Sequence, residues 1–511
     1  MTTAPQDPDK QSAKPAGAAD VSGGTLARGA ALVLLSEASI LPAGLISAAI
    51  LTRGLGVEGY GWLGLTYALV GPVSWILAGL LAGRTAVKLV LSAPDADRMM
   101  SKLLRINLMI GFICWILFAA AMPWVSVWVG NPELAMVLAL AGSEILLLPL
   151  ARLHRDVLST SSQYSRSGFA TGIFQLTRLL LIVVLVPLGF GLTAVVVAIA
   201  AARLVEIWWC RSKMPIALFR PAPGLSIPWR ETVGLLFVYE LCQQLISRHD
   251  IIFLSILGGS SSDLGFFAAA RIVAMAPELF TFAFVPMLIS ALVLERKQRQ
   301  RAKFQTLLKR NDQIAAVGAG LTVATMGASH SICIVLFGQA FAPAAPLYAF
   351  LALAAAAAFV QNLAVAHLVA RDRFALPAKL MIPLLFATLC ANMLIIPDYG
   401  ALGAAAVVAG MRTIGAVVAI MLLPRPHGKR IKTLSSGLLC GVVGGFAAFS
   451  VPNSFLPGID LFVAVAITSL GMGLLRVVQP GELAGLFQEL SKIRQSGNRN
   501  SATAGRPPEK T

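Results

Sequence analysis

Charge is scarce in this chain: only 13% of its residues are Asp, Glu, Lys or Arg, roughly half the share of a soluble globular protein. That scarcity excludes a soluble multidomain enzyme. The five histidines are isolated, and no HExxH, GxSxG or GxxxxGK[ST] pattern occurs. The zinc-hydrolase, serine-hydrolase and P-loop ATPase arrangements are therefore excluded. The six cysteines, Cys114, Cys210, Cys242, Cys333, Cys390 and Cys440, stand singly with no CxxC among them. They read as small membrane-facing side chains, with no metal or disulfide framework. No loop is long enough to fold into an extramembrane catalytic domain, and no cofactor is implied. Residues 1–24 are polar, so no cleavable signal peptide is expected.

What is abundant is apolar sequence. The hydrophobic share is 57% and the mean hydropathy +0.78. A bilayer core of about 30 Å needs roughly 20 apolar residues per helix. On that basis spans fall near 29–51, 62–82, 106–128, 132–151, 168–186 and 192–210. A second set follows near 232–257, 264–292, 313–337, 343–370, 375–396 and 401–424, and two more near 433–451 and 459–478. The expectation is an all-α integral membrane protein of about fourteen transmembrane helices. Its parts are a tail (1–28), a six-helix lobe (29–210), a linker (211–231), a second six-helix lobe (232–424), helices thirteen and fourteen (433–478) and a tail (479–511).

The 41 basic residues test that reading. Of these, 35 cluster before span one and after spans two, four, six, eight, ten, twelve and fourteen, most densely at Arg296, Lys297, Arg299, Arg301, Lys303, Lys309 and Arg310. Loops of the opposite parity hold only Arg53. Cytoplasmic loops are enriched in Lys and Arg, so both termini are expected in the cytoplasm of a bacterial inner-membrane protein. The net charge of +17 is then a topology signal and not a nucleic-acid surface. Short basic loops can also touch anionic lipid headgroups. In 481–494, Leu483, Leu486, Phe487, Leu490 and Ile493 recur at helical spacing, which predicts a helix lying on the cytoplasmic interface. Residues 495–511 read as disordered.

The chain also repeats. The turn from Arg53 to Gly61 after span one resembles that from Leu257 to Gly265 after span seven. Pro187 precedes a Gly- and Ala-rich helix carrying Arg203, and Pro397 precedes another carrying Arg412. Both matches are offset by six spans, an even number, so the two halves are expected to be parallel repeats related by a pseudo-twofold axis, as in many transporters.

Five arginines lie within spans: Arg178, Arg203, Arg248, Arg271 and Arg412. Each costs at least about 2.5–3.5 kcal/mol at the bilayer centre, and such residues face a partner or a hydrated interior. Six acids accompany them: Glu37, Glu144, Glu206, Glu240, Asp250 and Glu278. Glu240, Gln244 and Arg248 recur every four residues on span seven; Gln175 and Arg178, and Arg203 and Glu206, are three apart; Arg271 and Glu278 are two turns apart. Arg203 with Glu206 reads equally as a structural ion pair, and Glu144 as a residue that snorkels or pairs locally. Guanidinium groups suit a phosphate-bearing substrate. The candidate substrate-binding residues are Arg178, Gln244, Arg248, Arg271 and Arg412; the candidate ion-coupling residues are Glu240, Asp250 and Glu278, since burial favours a protonated carboxyl.

At Leu51 to Gly61, LTRGLGVEGYG, the chain resembles the polysaccharide transporter branch of the multidrug/oligosaccharidyl-lipid/polysaccharide exporter superfamily. Gly79-Leu80-Leu81 closes span two as in that branch, and Asp250, Leu257-Gly258 and Gly265-Phe266-Phe267 follow its pattern in the second half, with Phe266 where Tyr is common. Pro397, Gly400 and Gly403 match a further turn. The resemblance implies an ATP-independent flippase for polyprenyl-diphosphate-linked oligosaccharides, such as O-antigen or exopolysaccharide units, working by alternating access. It implies a lipid-linked oligosaccharide as substrate, with a polysaccharide polymerase or glycosyltransferases as pathway partners. The last two spans also resemble those of the lipid II flippase branch. An ion-coupled multidrug antiporter of the same superfamily, a membrane polysaccharide polymerase or ligase, and a structural scaffold are the alternatives.

Overall fold

The computed structural model describes residues 39–82, 96–161, 163–217, 241–242, 244–246, 248–297, 301–371, 375–423, 427–451, 458–475 and 477. Among them every element is helical, because a backbone in hydrocarbon must satisfy its own hydrogen bonds. Helix α1 (Ile40–Ala82) has 43 residues, and a straight helix of that length would run about 64 Å, twice the bilayer core. Gly56, at φ 70°, divides it into two arms, the first and second spans. Span three is α2 (Ala96–Trp128), and span four is α3 (Leu134–Ala141) with α4 (Ser143–Thr160). Spans five and six are α5 (Tyr164–Leu185) and α6 (Gly191–Lys213).

In the second half, α7 (His249–Ile256) ends span seven, and α8 (Ser261–Ala274) and α9 (Ala276–Lys297) form span eight. Span nine is a broken pair, α10 (Arg301–Ala324) and α11 (Ser329–Phe337), bent by 76°. Then come α12 (Ala344–Val369) and α13 (Ala375–Met421), divided at Gly400 (φ 54°) into spans eleven and twelve. Helices α14 (His427–Phe449) and α15 (Ile459–Leu474) are spans thirteen and fourteen. The chain is thus an all-α membrane protein of about fourteen helices. Two helices begin earlier than apolar content predicts. Helix α2 starts at Ala96 and α10 at Arg301, since their first turns are charged, with Asp97 and Arg98 in one and Arg301 and Lys303 in the other, and extend past the hydrocarbon. Glu240, the tails, residues 218–231 of the linker and the expected helix at 481–494 lie outside the described residues.

The repeat shows in the turns. Every positive-φ glycine sits where an odd span passes into an even one: Gly56, Gly130, Gly189 with Gly191, Gly258, Gly338, Gly400 and Gly458. A left-handed residue ends a helix at no steric cost only when it lacks a Cβ. Arg203 follows Gly191 by twelve residues, and Arg412 follows Gly400 by twelve.

These turns gather at one end, which we term the odd end, and there the halves close on each other. A Cβ on Gly61 would collide with the Ser261 carbonyl and one on Gly265 with the Val57 carbonyl. Tyr60 and Phe266 both meet Phe341 edge-on, at 6.2 and 6.1 Å. Arg53 Nη2 donates to the Val335 carbonyl at 3.2 Å. Toward the other end the cores separate. Met99, Leu103, Leu150, Leu153, Val157 and Ile216 pack within the first half, whereas Cys242, Ile246, Leu368, Met381, Leu384 and Leu423 pack within the second.

Helices α14 and α15 are fastened to the second half. Gly437 and Gly441 lie against the backbone of Ala316 and Gly320 on α10, and Gly444 against Ala464 and Thr468 on α15. Such small-residue contacts bring backbones together where apolar burial gives no drive between helices. Arg430 Nε adds bonds to both Asp312 oxygens, at 2.9 and 3.0 Å.

Candidate substrate site

The intramembrane charges form two clusters at one depth. Arg178, Arg203, Arg248, Arg271, Arg412, Glu144 and Tyr67 each lie about 10–14 residues along a helix from an odd-end turn, about 15–21 Å at 1.5 Å per residue. In a hydrocarbon core of about 30 Å such a depth is toward the middle, where transporter sites sit between repeats.

In the first half, Arg203 on α6 donates through Nε to both Glu144 oxygens, at 3.2 and 3.3 Å, and through Nη1 to Glu206 at 2.8 Å. Arg155 approaches the other Glu206 oxygen at 3.6 Å. The Arg203 guanidinium lies 3.7 Å from the Phe174 ring centroid. The expected Arg203–Glu206 pair is present. Glu144 does not snorkel: it is buried and pairs with another helix, because Arg203 is nearer than water.

Arg178 differs. It stands 5.6 Å from the Phe174 ring, yet its guanidinium makes no hydrogen bond or ion pair among the described residues, and its buried Nε is unsatisfied. Gln175 Oε1 and the hydroxyl of Tyr67 are buried and unsatisfied as well. Tyr67, on the second arm of α1, lies in the field of Glu144, Arg178 and Arg203. Three arginines here meet two carboxylates, leaving the cluster with a surplus positive charge.

In the second half, Arg271 on α8 donates to Asp250 on α7. Arg271 and Glu278 lie on successive helices, α8 and α9, and the ion pair of Arg271 is made across the helix interface with Asp250. Arg248 is the residue on which α7 begins, with non-helical φ −134°. It lies in the field of Arg271, Asp250 and Glu278, and its guanidinium makes no hydrogen bond or ion pair among the described residues. Its guanidinium is beside Gly71, where a Cβ would stand 3.8 Å from Nε. Tyr67 and Gly71 are one turn apart on α1, so this arm brings Arg178 of one half and Arg248 of the other to one surface. His249 accepts from Asn392 Nδ2 at 2.6 Å and lies in the field of Arg412; Gln244 and Arg412 are both engaged.

Periodicity alone did not reveal Tyr67, Phe174 or Asn392 as parts of these clusters. Each is a single residue in an apolar helix whose meaning comes from the helix it faces. No group of three or more His, Cys, Asp or Glu suited to a metal occurs among the described residues.

Two helical halves, a charged midplane and closure at one end define a transporter fold. A solved structure described as "Lipid II flippase MurJ, inward closed conformation" superposes with a TM-score of 0.73 at 12% identity, over 87% of this chain and 99% of that one. An inward-facing multidrug resistance MATE family transporter of the MOP superfamily gives 0.62 at 16% identity, over 79% and 99%. A MOP superfamily transporter from Pyrococcus furiosus, described as having a binding pocket of reverse polarity, gives 0.59 at 15% identity, over 81% and 97%. The fold is that of these solved structures, as the resemblance at the turns of Gly56 and Gly258 implied. The profile of a family described as "Polysaccharide biosynthesis protein" matches residues 50–346, more than half of the chain, and the chain belongs to that family. No curated protein matches it by sequence.

Proposed function

We propose that the chain is an ATP-independent flippase that turns polyprenyl-diphosphate-linked oligosaccharide units, such as O-antigen or exopolysaccharide repeats, across a bacterial inner membrane. The observation that carries this reading is the pair Arg178 and Arg248. A cation at the midplane without a carboxylate partner is costly, and a diphosphate supplies the missing partner with two-pronged geometry. Arg271, Gln244 and Arg412 extend the anion-facing surface of the second half. Asp250, Glu278 and Glu240 are the candidates for a coupling ion. The odd end faces the periplasm and both termini the cytoplasm, following the basic loops. A cation antiporter is less well supported, because the two buried carboxylates of the first half, Glu144 and Glu206, are already paired with arginine.

The likeness to the lipid II flippase makes a peptidoglycan precursor the second reading, since it shares the polyprenyl diphosphate. Deletion of the gene separates the two. The first predicts undecaprenyl-linked oligosaccharide trapped in the inner leaflet, with peptidoglycan synthesis unchanged. Arrested peptidoglycan synthesis with normal surface polysaccharide would select the second.

A further inference from the structure

Two helical stripes continue from the charged midplane toward the open end, and they keep step with each other. On the second arm of α1 the stripe is Tyr67, Gly71 and Trp75; on α4 it is Glu144, Leu148 and Arg152. Both advance by four residues, so both remain on one face of their helix. At the first rung Tyr67 lies in the field of Glu144. At the third, the Arg152 guanidinium stands 5.2 Å from the centroid of the Trp75 ring, a cation–π distance. Helix α4 is buried over most of its length, and Arg152 and Arg155 keep partial exposure, at 28% and 24% of their side chains. Glu144 and Arg155 are tied within the first half, to Arg203 and to Glu206 and Thr171, and Arg152 also approaches Asp156 at 3.8 Å, so the part of this face that stays open is at Arg152, beside Trp75.

Trp75 shares that surface. Val70, Val73 and Leu77 of the same arm pack on Ile145 and Val196 in the first half. Leu65 and Ala68 pack on Ile251, Leu254 and Leu264 in the second. The Tyr67–Gly71–Trp75 stripe lies between these two packed faces, and Arg248 touches it at Gly71. Trp75 is 40% exposed and engaged by arginine, whereas a lipid-facing tryptophan would meet acyl chains alone. Eight residues of helix place it about 12 Å from Tyr67, on the side away from the odd end.

We propose that Trp75 and Arg152 form a sugar-binding platform for the oligosaccharide of the lipid-linked substrate. This rests on the flippase reading and extends it to the glycan. An aromatic ring presents a flat apolar surface to the C–H face of a pyranose, and Arg152, stacked on the Trp75 ring and 3.8 Å from Asp156, holds that ring in place. The diphosphate would be held at Arg178 and Arg248, and the sugars would extend along the two stripes.

The test uses full-length protein in nanodiscs of phosphatidylethanolamine and phosphatidylglycerol. The probes are undecaprenyl diphosphate and the oligosaccharide-bearing undecaprenyl diphosphate extracted from the host. W75A is expected to weaken binding of the sugar-bearing lipid about tenfold and to leave the bare diphosphate lipid unchanged. W75L, which keeps the bulk but not the ring, should behave as W75A does, and W75F should retain most of the affinity. Equal losses on both probes, or no loss on either, would overturn the platform. So would quenching by brominated acyl chains of the fluorescence that W75F removes, because the ring would then face lipid. Wild-type protein that binds neither probe would instead overturn the flippase reading.

Discussion

Alanine in place of Arg178 or Arg248 is expected to lower transport at least 30-fold, the equivalent of about 2 kcal/mol, while folded protein accumulates normally. Truncating one member of a buried charge pair costs roughly 2–5 kcal/mol, and here the other member is the substrate. The two guanidinium groups make no hydrogen bond or ion pair with the described protein groups, so their removal orphans no carboxylate. Removing Arg178 relieves repulsion from Arg203 and loses attraction to Glu144, and removing Arg248 relieves repulsion from Arg271 and loses attraction to Asp250 and Glu278. These effects oppose each other, so stability should hold as function falls. Lysine at either position retains the charge and loses the planar fork, so intermediate activity is expected. The comparison is surface polysaccharide per unit of membrane-embedded protein, alongside thermal unfolding of the purified variants. Variants that unfold early would assign these arginines to structure.

Glu206 should show the opposite pattern. It is fully buried, accepts from Arg203 at 2.8 Å and lies 3.6 Å from Arg155. Glu206→Ala leaves Arg155 without that carboxylate and Arg203 with Glu144 alone. Breaking a buried pair from one side costs about 3–5 kcal/mol, so the unfolding temperature in detergent should drop sharply and membrane levels should fall. Glu206→Gln still accepts from Arg203, so its loss should be smaller. If both variants are as stable as wild type, the network is not what holds α4 to α6.

The sequence reading succeeded where one helix is enough to decide. Apolar length identifies a span. The i,i+3 spacing of Arg203 and Glu206 placed that pair correctly because both lie on α6. It missed where two helices must meet. Asp250 and Arg271 are on different helices, and the spacing of Arg271 to Glu278 suggested another partner. Glu144 read as a snorkelling residue because nothing local shows that Arg203 lies opposite. Tyr67 carries no signal in an apolar stretch, and its role depends on α1 standing between the halves. Even the repeat was visible only at the Arg53 and Leu257 turns and the two proline turns, whereas the left-handed glycines extend it to Gly130 and Gly338.

The flippase reading is tested most directly by purified protein in liposomes carrying a fluorescent undecaprenyl-diphosphate oligosaccharide, with dithionite bleaching the outer leaflet. Without ATP, wild-type protein should expose the inner-leaflet label far faster than protein-free vesicles, and the double variant R178A/R248A should not. Rates equal to those of empty vesicles, or a double variant as fast as wild type, would contradict a diphosphate-gripping flippase.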